Sequence, residues 1–124
     1  MIFRFKNFPV YQDSLNFRQE LKELIKNKFP SEEKFCLSNQ IIRALDSIIL
    51  NIAEGADRLS DVDFSRFLNT ALGSLNEVVA SLDLALGDGY ITKKEFDYFN
   101  NLAEKIYIQL KAFCAKVRRD NARN

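Results

Sequence analysis

The sequence predicts an all-α protein built as an antiparallel, up-down-up-down four-helix bundle. Apolar residues recur at spacings of three and four along four segments, the breaks between these segments are short, and no alternating strand pattern follows residue 9. Short connections force neighbouring helices to run antiparallel, which favours a bundle. The 124 residues, 47% of them hydrophobic, suit a single domain over 1–124, with an extended segment at 1–8 and a basic tail at 118–124.

Each predicted helix begins at a capping residue or a proline and ends near a glycine or a proline. The first begins at Pro9, and the third begins at Ser60, a good N-cap. Thr92 and Glu95 have the spacing of a capping box at the start of the fourth. The predicted helices therefore cover 9–28, 31–55, 60–87, and 92 into the basic tail.

The absence of histidine excludes several kinds of enzyme and metal site. A sequence without imidazole has no His-containing zinc or di-iron site and no Ser-His-Asp or Cys-His nucleophile. Glu54 and Glu77 each have a candidate Arg partner, which would keep them ionised rather than poised for acid/base catalysis. The segment 84–95 resembles an EF-hand loop in its second half only, because Leu84 and Leu86 stand where calcium needs carboxylates. We expect no enzyme, no metal and no cofactor.

The two cysteines are predicted near opposite ends of a bundle more than about 30 Å long, so we expect no disulfide between Cys36 and Cys114. Each is expected to be a small buried hydrophobe. No apolar run approaches the roughly 18–20 residues of a membrane span, and Arg4 and Lys6 interrupt the N-terminal apolar stretch. A cytoplasmic location without membrane contact is the expectation.

Charge is unevenly distributed, although the net charge is only +1. Residues 1–45 carry eight basic and five acidic side chains, residues 46–104 four and eleven, and residues 105–124 six and one. A basic tail can contact phosphates, and it can equally be a solvated helix end that complements the helix dipole. The cations that carry the nucleic-acid interpretation are Lys111, Lys116, Arg118, Arg119 and Arg123.

A polar stripe runs along the predicted second helix within an arc of roughly 80°. It consists of Gln40, Arg43, Ser47, Asn51 and Glu54. The third helix has a matching stripe that includes Arg66, Gly73 and Glu77. Antiparallel pairing about Ser60 aligns Arg43 with Glu77 and Glu54 with Arg66, which predicts a buried ladder with two ion pairs that specifies helix register or subunit packing. A ligand or nucleic-acid groove is the functional alternative.

The second helix and the N-terminal segment carry more apolar residues than one core needs. Ile42 and Ile49 lie on a second apolar face of the second helix, which predicts a contact with another subunit. The aromatic N-terminal segment, with Phe3 and Phe5, either folds back over its own bundle or docks on a neighbour. A glycine in mid-helix costs about 1 kcal/mol relative to alanine, so Gly73 suggests the close approach of another element.

The segments Gln40–Gly55, Phe64–Leu68 and Ala71–Glu77 closely resemble the four-helix-bundle family of 23S ribosomal RNA intervening-sequence proteins. The resemblance extends from about Phe5 to Val117. It implies a four-helix protomer that assembles into a ring-like homopentamer, related to the accessory variability protein of diversity-generating retroelements. That relative binds nucleic acid and a reverse transcriptase, whereas the intervening-sequence family has no established biochemical activity.

Two functions follow from these features. The first is a non-enzymatic homo-oligomer that associates with RNA or a nucleoprotein through its basic tails, which the assembly would repeat around one rim. The second is a purely structural or partner-binding oligomer without a nucleic-acid role.

Overall fold

A computed structural model describes the backbone of residues 2–123 and the side chains of residues 2–120. Its four α-helices are α1 (Pro9–Lys28), α2 (Leu37–Gly55), α3 (Asp61–Gly87) and α4 (Lys93–Arg123). Two short 3₁₀ helices, Arg4–Asn7 and Ser31–Glu33, precede α1 and α2. No β-strand occurs within 2–123, and the prediction of an all-α protein with four helices is confirmed.

The helices pack in a closed order around one core. Helix α2 packs on α1 and α3, and α4 packs on α3 and α1. The Phe8 ring, just before α1, lies near Phe64 early in α3 and Phe113 late in α4. At the other end, Phe29 after α1 contacts Tyr90 just before α4, with ring centroids 5.5 Å apart. These contacts define the predicted up-down-up-down arrangement of the protomer.

The core contains the apolar residues that the helical periodicity selects from each segment. Burial of one such Leu or Ile side chain stabilises the fold by roughly 1.5–3 kcal/mol. The most deeply buried large side chains are Phe17, Leu21, Ile41, Leu45, Ile48, Ile52, Leu68, Leu75, Val78, Leu82, Ile106 and Leu110.

The predicted caps of α3 and α4 are confirmed. The Ser60 hydroxyl accepts the Asp63 N–H at 3.1 Å. At α4, Thr92 Oγ1 accepts the Glu95 N–H at 3.1 Å and Glu95 Oε1 accepts the Thr92 N–H at 2.9 Å. This reciprocal pair is a capping box, and it satisfies donors that a helix start otherwise leaves unpaired.

The predicted start of the second helix is wrong by six residues. Ser31 makes no capping hydrogen bond, and the chain forms a 3₁₀ turn over Ser31–Glu33. Helix α2 begins only at Leu37, after Cys36 adopts φ −118° and ψ −107°, which lies outside the helical region. The residues after Pro30 turn the chain from the end of α1 toward α2. This turn outweighs the preference of Ser31 for an N-cap position.

Gly55, at the end of α2, allows α2 and α3 to approach closely. A Cβ at this position would lie 2.7 Å from Phe67 Cβ and 2.9 Å from Phe64 Cδ1. Only a residue without a side chain fits here unless α3 moves.

Candidate functional site

The N-terminal segment folds back over its own bundle and closes one end of it. The Phe8 ring lies 5.0 Å from the Phe113 ring and 6.4 Å from the Phe64 ring, and Phe5 lies 5.1 Å from Tyr11. Of the two predicted interface aromatics, Phe5 is therefore half-buried in its own protomer, whereas Phe3 stays 53% exposed. We call this end, where α1 and α3 begin and α2 and α4 end, the basic end.

Arg4 ties the N-terminal segment to the end of α2. Its Nε and Nη2 atoms both donate to the carbonyl oxygen of Ala56, the Nε bond measuring 3.1 Å. The guanidinium carbon lies 5.5 Å from the Phe8 ring centroid and 5.7 Å from that of Phe64. A cation is favourable at this position because a helix C-terminus carries partial negative charge. Sequence reasoning missed Arg4, whose partner is 52 positions away.

Arg4 and Lys116 face the same cleft, of about 500 Å³, which we call the Arg4–Lys116 cleft. Its lining consists of Arg4, Phe8, Pro9, Val10, Gln109, Ala112, Phe113 and Lys116. Lys116 is exposed, and no ion pair engages it among the described side chains. The floor is mostly apolar and two cations stand at the rim.

The remaining predicted cations do not join this cleft. Arg118 lines a separate cavity of about 310 Å³ on the α3 side, together with Asp61 and Arg66. Lys111 Nζ lies 5.9 Å from the Tyr107 ring centroid. At 100° per residue, Lys111 and Arg118 lie within about 20° of each other and roughly 140–160° from Lys116. The predicted basic set is therefore divided between two faces of α4.

Arg119 is exposed and enters no ion pair within 2–120. The predicted side-chain role of Arg123 lies outside the described side chains.

The polar stripe of α2 lines a groove of about 830 Å³ against α3, which we call the α2–α3 groove. Ser47 Oγ lies 2.7 Å from Ser74 Oγ, and Asn51 Nδ2 donates to Ser47 O at 2.7 Å. Ser47 is thus paired with Ser74 and not with the predicted Gly73, a shift of one residue in register. The groove lining is Glu33, Phe35, Cys36, Leu37, Asn39, Gln40, Arg43, Ala44, Ser47, Ser74, Glu77, Leu84 and Asp88.

The two predicted ion pairs of this ladder do not form within the described protomer, and their formation between protomers stays a prediction. Arg66 Nη1 lies 3.5 Å from Asp63 Oδ1, one turn away on its own helix. Arg43, Glu54 and Glu77 are exposed, and none of them enters an ion pair among the described residues. The stripe borders an open groove, so these charges remain hydrated and need no partner to offset burial.

Gly73 is exposed, and a Cβ built on it would meet nothing within 4 Å. The predicted close approach of another element at this glycine is therefore wrong within the protomer.

The second apolar face of α2 is covered largely by the protomer itself. Ile49 is only 7% exposed, and Ile42 is half-buried against the core. Asp46, on the same side of α2, binds Arg18 of α1 at 2.6 Å. The expectation that Ile49 is exposed for contact with another subunit is wrong. Helix α2 packs against α1 on one side and α3 on the other.

At the opposite end of the bundle two lysines pair with carboxylates, and we call it the paired end, although Lys34 and Lys94 there enter no ion pair among the described residues. Lys28 Nζ lies 3.6 Å from Glu95 Oε2, and Lys93 Nζ lies 2.7 Å from Asp97 Oδ1. The hydrogen bond from the Thr92 backbone N–H lowers the pKa of Glu95. The Thr92 hydroxyl and Lys28 also lower this pKa, whereas desolvation raises it.

Both cysteines carry free thiols. Cys114 is buried as predicted, with Sγ 3.8 Å from Ser65 O. Cys36 is exposed, contrary to prediction, because it precedes α2 instead of lying within it. Among the described residues, no cluster of acidic or thiol side chains is arranged to hold a metal ion. None of the helices over this range has the length and apolarity to cross a membrane.

The fold and its site define a small antiparallel four-helix protein with an aromatic cluster and free cations at one end. A sequence profile of the 23S rRNA-intervening sequence protein family matches residues 6–112, and the chain belongs to this family. A crystal structure from Bacteroides thetaiotaomicron, of a protein of unknown function in the S23 ribosomal protein family, is similar at 32% identity with a TM-score of 0.78. The match covers 86% of this chain and 95% of that one. No curated protein matches the chain.

Proposed function

We propose that this protein is a non-enzymatic, homo-oligomeric helical bundle that associates with RNA or an RNA-containing complex through its basic end. The observation that carries the proposal is that cations gather in the last turns of α4 without carboxylate partners. Lys111, Lys116, Arg118 and Arg119 enter no ion pair among the described side chains. Cations that remain unpaired can neutralise phosphates without first breaking a contact within the protein.

Arg4 adds a cation to this end from the start of the chain. Acidic residues are also present, because α3 begins here with Asp61 and Asp63. These carboxylates border the cavity that holds Arg118 or pair with Arg66, so they reduce the positive potential on the α3 side of α4. The α1 side, with Arg4 and Lys116, is the better surface for a phosphate chain.

Assembly into an oligomer would multiply this surface. The family resemblance implies a pentamer, and exposed apolar side chains in the protomer support contact with further copies. Ile2 is 85% exposed and Phe35 is 83% exposed. Several basic ends on one rim would bind an extended strand with avidity that one protomer lacks.

The test compares RNA binding by two charge-matched variants over a range of salt concentrations. The first changes Lys116, Arg118 and Arg119 to Gln, and the control changes Lys22, Lys26 and Lys94, which are exposed and lie away from the basic end. We expect the first variant to lose affinity and to show a shallower dependence on salt, while the control binds as the unmodified protein does. Equal affinities, with both variants assembling normally, would contradict the proposal.

A second candidate function is a protein-binding oligomer that uses the α2–α3 groove. Phe35 and the 56%-exposed Leu84 line this groove beside the unpaired charges of Arg43 and Glu77, a mixture typical of protein interfaces. Changing Phe35 and Leu84 to Ser should lower the mass in solution if the groove joins subunits. If the mass is unchanged and the protein binds RNA, the second candidate fails and the first remains.

A further inference from the structure

We infer that the Arg4–Lys116 cleft is a subsite for one nucleotide of single-stranded RNA, with the base on the apolar floor and a neighbouring phosphate between the two cations. This inference rests on the proposed function and goes beyond it, because a basic rim alone would contact only phosphates. The inference adds a contact between the protein and a base, so it predicts that the protein prefers single-stranded RNA to duplex RNA.

The floor of the cleft is fixed by packing. Phe8 and Phe113 contact each other edge to face at 5.0 Å, and both pack on Phe64, which is 5% exposed. Pro9 and Ala112 complete an apolar surface in a space of about 500 Å³, within the range of small-ligand pockets. A planar base can pack on the part of this surface that the Arg4 guanidinium, 5.5 Å from the Phe8 ring centroid, leaves open.

The two rim cations differ in how they are held. Arg4 is anchored, because Nε and Nη2 donate to Ala56 O and the guanidinium lies over two aromatic rings. An arginine has five N–H donors, so the Nη1 pair is left for a ligand, already oriented. Lys116 is free to move toward a phosphate. Preorganisation of one cation lowers the entropic cost of binding, and the mobility of the other allows adjustment to the strand.

The charges around the cleft favour an anion. Its lining contains Arg4 and Lys116 and no carboxylate. Two carboxylates lie near the lining: Asp13, which accepts a 2.8 Å hydrogen bond from Gln109 Nε2, and the exposed Asp120, one helical turn beyond Lys116. An extended RNA strand matches this arrangement because it alternates a negative phosphate with a flat apolar base. A duplex keeps its bases paired, so it offers the cleft only its backbone.

The experiment fills the cleft without changing charge. Ala112→Trp places an indole in the cleft, and Ala115→Trp, at another exposed alanine of α4 that lies outside the cleft lining, is the control. Each is titrated with a fluorescent oligouridylate and with an abasic oligomer of the same length. We expect the unmodified protein and Ala115→Trp to bind oligouridylate about tenfold more tightly than the abasic strand. Ala112→Trp should bind both strands equally.

Two variants that each remove one charge provide a second measurement, which does not depend on how an indole is accommodated. Lys116→Gln should weaken oligouridylate binding several-fold more than Lys111→Gln, although each removes one exposed cation from α4.

The outcomes separate this inference from the proposed function. If the unmodified protein binds oligouridylate and the abasic strand equally, or if the two Trp variants behave alike, the cleft holds no base and the subsite is overturned, while the basic end still binds RNA. If the unmodified protein binds neither strand, the proposed function fails, and the subsite fails with it.

Discussion

The two ends of the bundle use aromatic residues in the same way and charges in opposite ways. Each end is closed by rings from elements distant in sequence, Phe8 with Phe64 and Phe113 at the basic end and Phe29 with Tyr90 at the paired end. At the paired end, lysines contact carboxylates. At the basic end, the cations of α4 enter no ion pair among the described residues.

An exposed ion pair contributes only about 0–1 kcal/mol, so pairing or its absence changes the stability of the fold little. The difference between the ends therefore concerns which cations are available to a ligand. Lys28 and Lys93 at the paired end are matched by carboxylates, whereas Lys116 and Arg119 at the basic end remain available to an external anion.

Removal of the shared ring at the basic end should give the largest loss of stability. Phe64 contacts Phe8 and Phe113 and lies under the Arg4 guanidinium, so Phe64→Ala should lower the free energy of unfolding by about 3–5 kcal/mol. Urea unfolding measures this, with Phe29→Ala as the comparison. Phe29 is only half-buried, and we expect a smaller loss. Equal losses would show that the two ends are closed equally firmly.

Two glycines distinguish the close packing at the basic end from the open surface of α3. Gly55→Ala should cost about 1–3 kcal/mol, because its Cβ would overlap Phe67 and Phe64. Gly73→Ala should stabilise the protein by about 1 kcal/mol, because nothing obstructs the new methyl group and alanine favours a helix. Thermal unfolding gives both values. If Gly73→Ala instead reduces the mass in solution, another subunit approaches at this glycine.

The capping box at the paired end should make stability depend on pH. The Thr92 N–H holds the pKa of Glu95 below its ordinary value, so the carboxylate stabilises the fold above that ordinary value. Its contribution is lost as the pH falls through the lower pKa of the folded protein. Glu95→Ala should therefore cost about 1 kcal/mol at pH 7 and less at pH 3. Glu104→Ala, which removes an exposed carboxylate of α4 outside the capping box, is the control.

The smallest effect is expected in the α2–α3 groove. Arg43 and Glu77 are exposed and unpaired in the described protomer, so Arg43→Gln and Glu77→Gln should each change stability by less than about 0.5 kcal/mol. A buried pair would instead lose about 3–5 kcal/mol when either partner is removed. Chemical denaturation decides between these values, and a large loss would indicate that assembly buries the groove.

The candidate site was only partly predictable. Lys116 and Arg118 are correctly placed near the end of the fourth helix, yet the structure divides them between two faces, with Arg4 beside one and Asp61 beside the other. The predicted ladder does not form within the described protomer, where Ser47 pairs with Ser74 one residue away from the predicted Gly73. Register between two helices depends on their whole interface, which pairwise alignment about a single turn does not capture.

Local chemistry within the sequence was sufficient for the four helices apart from the start of α2, for the caps at Ser60 and Thr92, and for the side of each helix that enters the core. Periodicity and capping act over three or four residues, so they can be read without a fold. Contacts between distant segments were decided by the tertiary structure alone. Arg4 reaches Ala56 across 52 positions, and Ile49 is only 7% exposed in the packed protomer. Such positions depend on how complete helices pack, since close packing responds to shape over the whole interface.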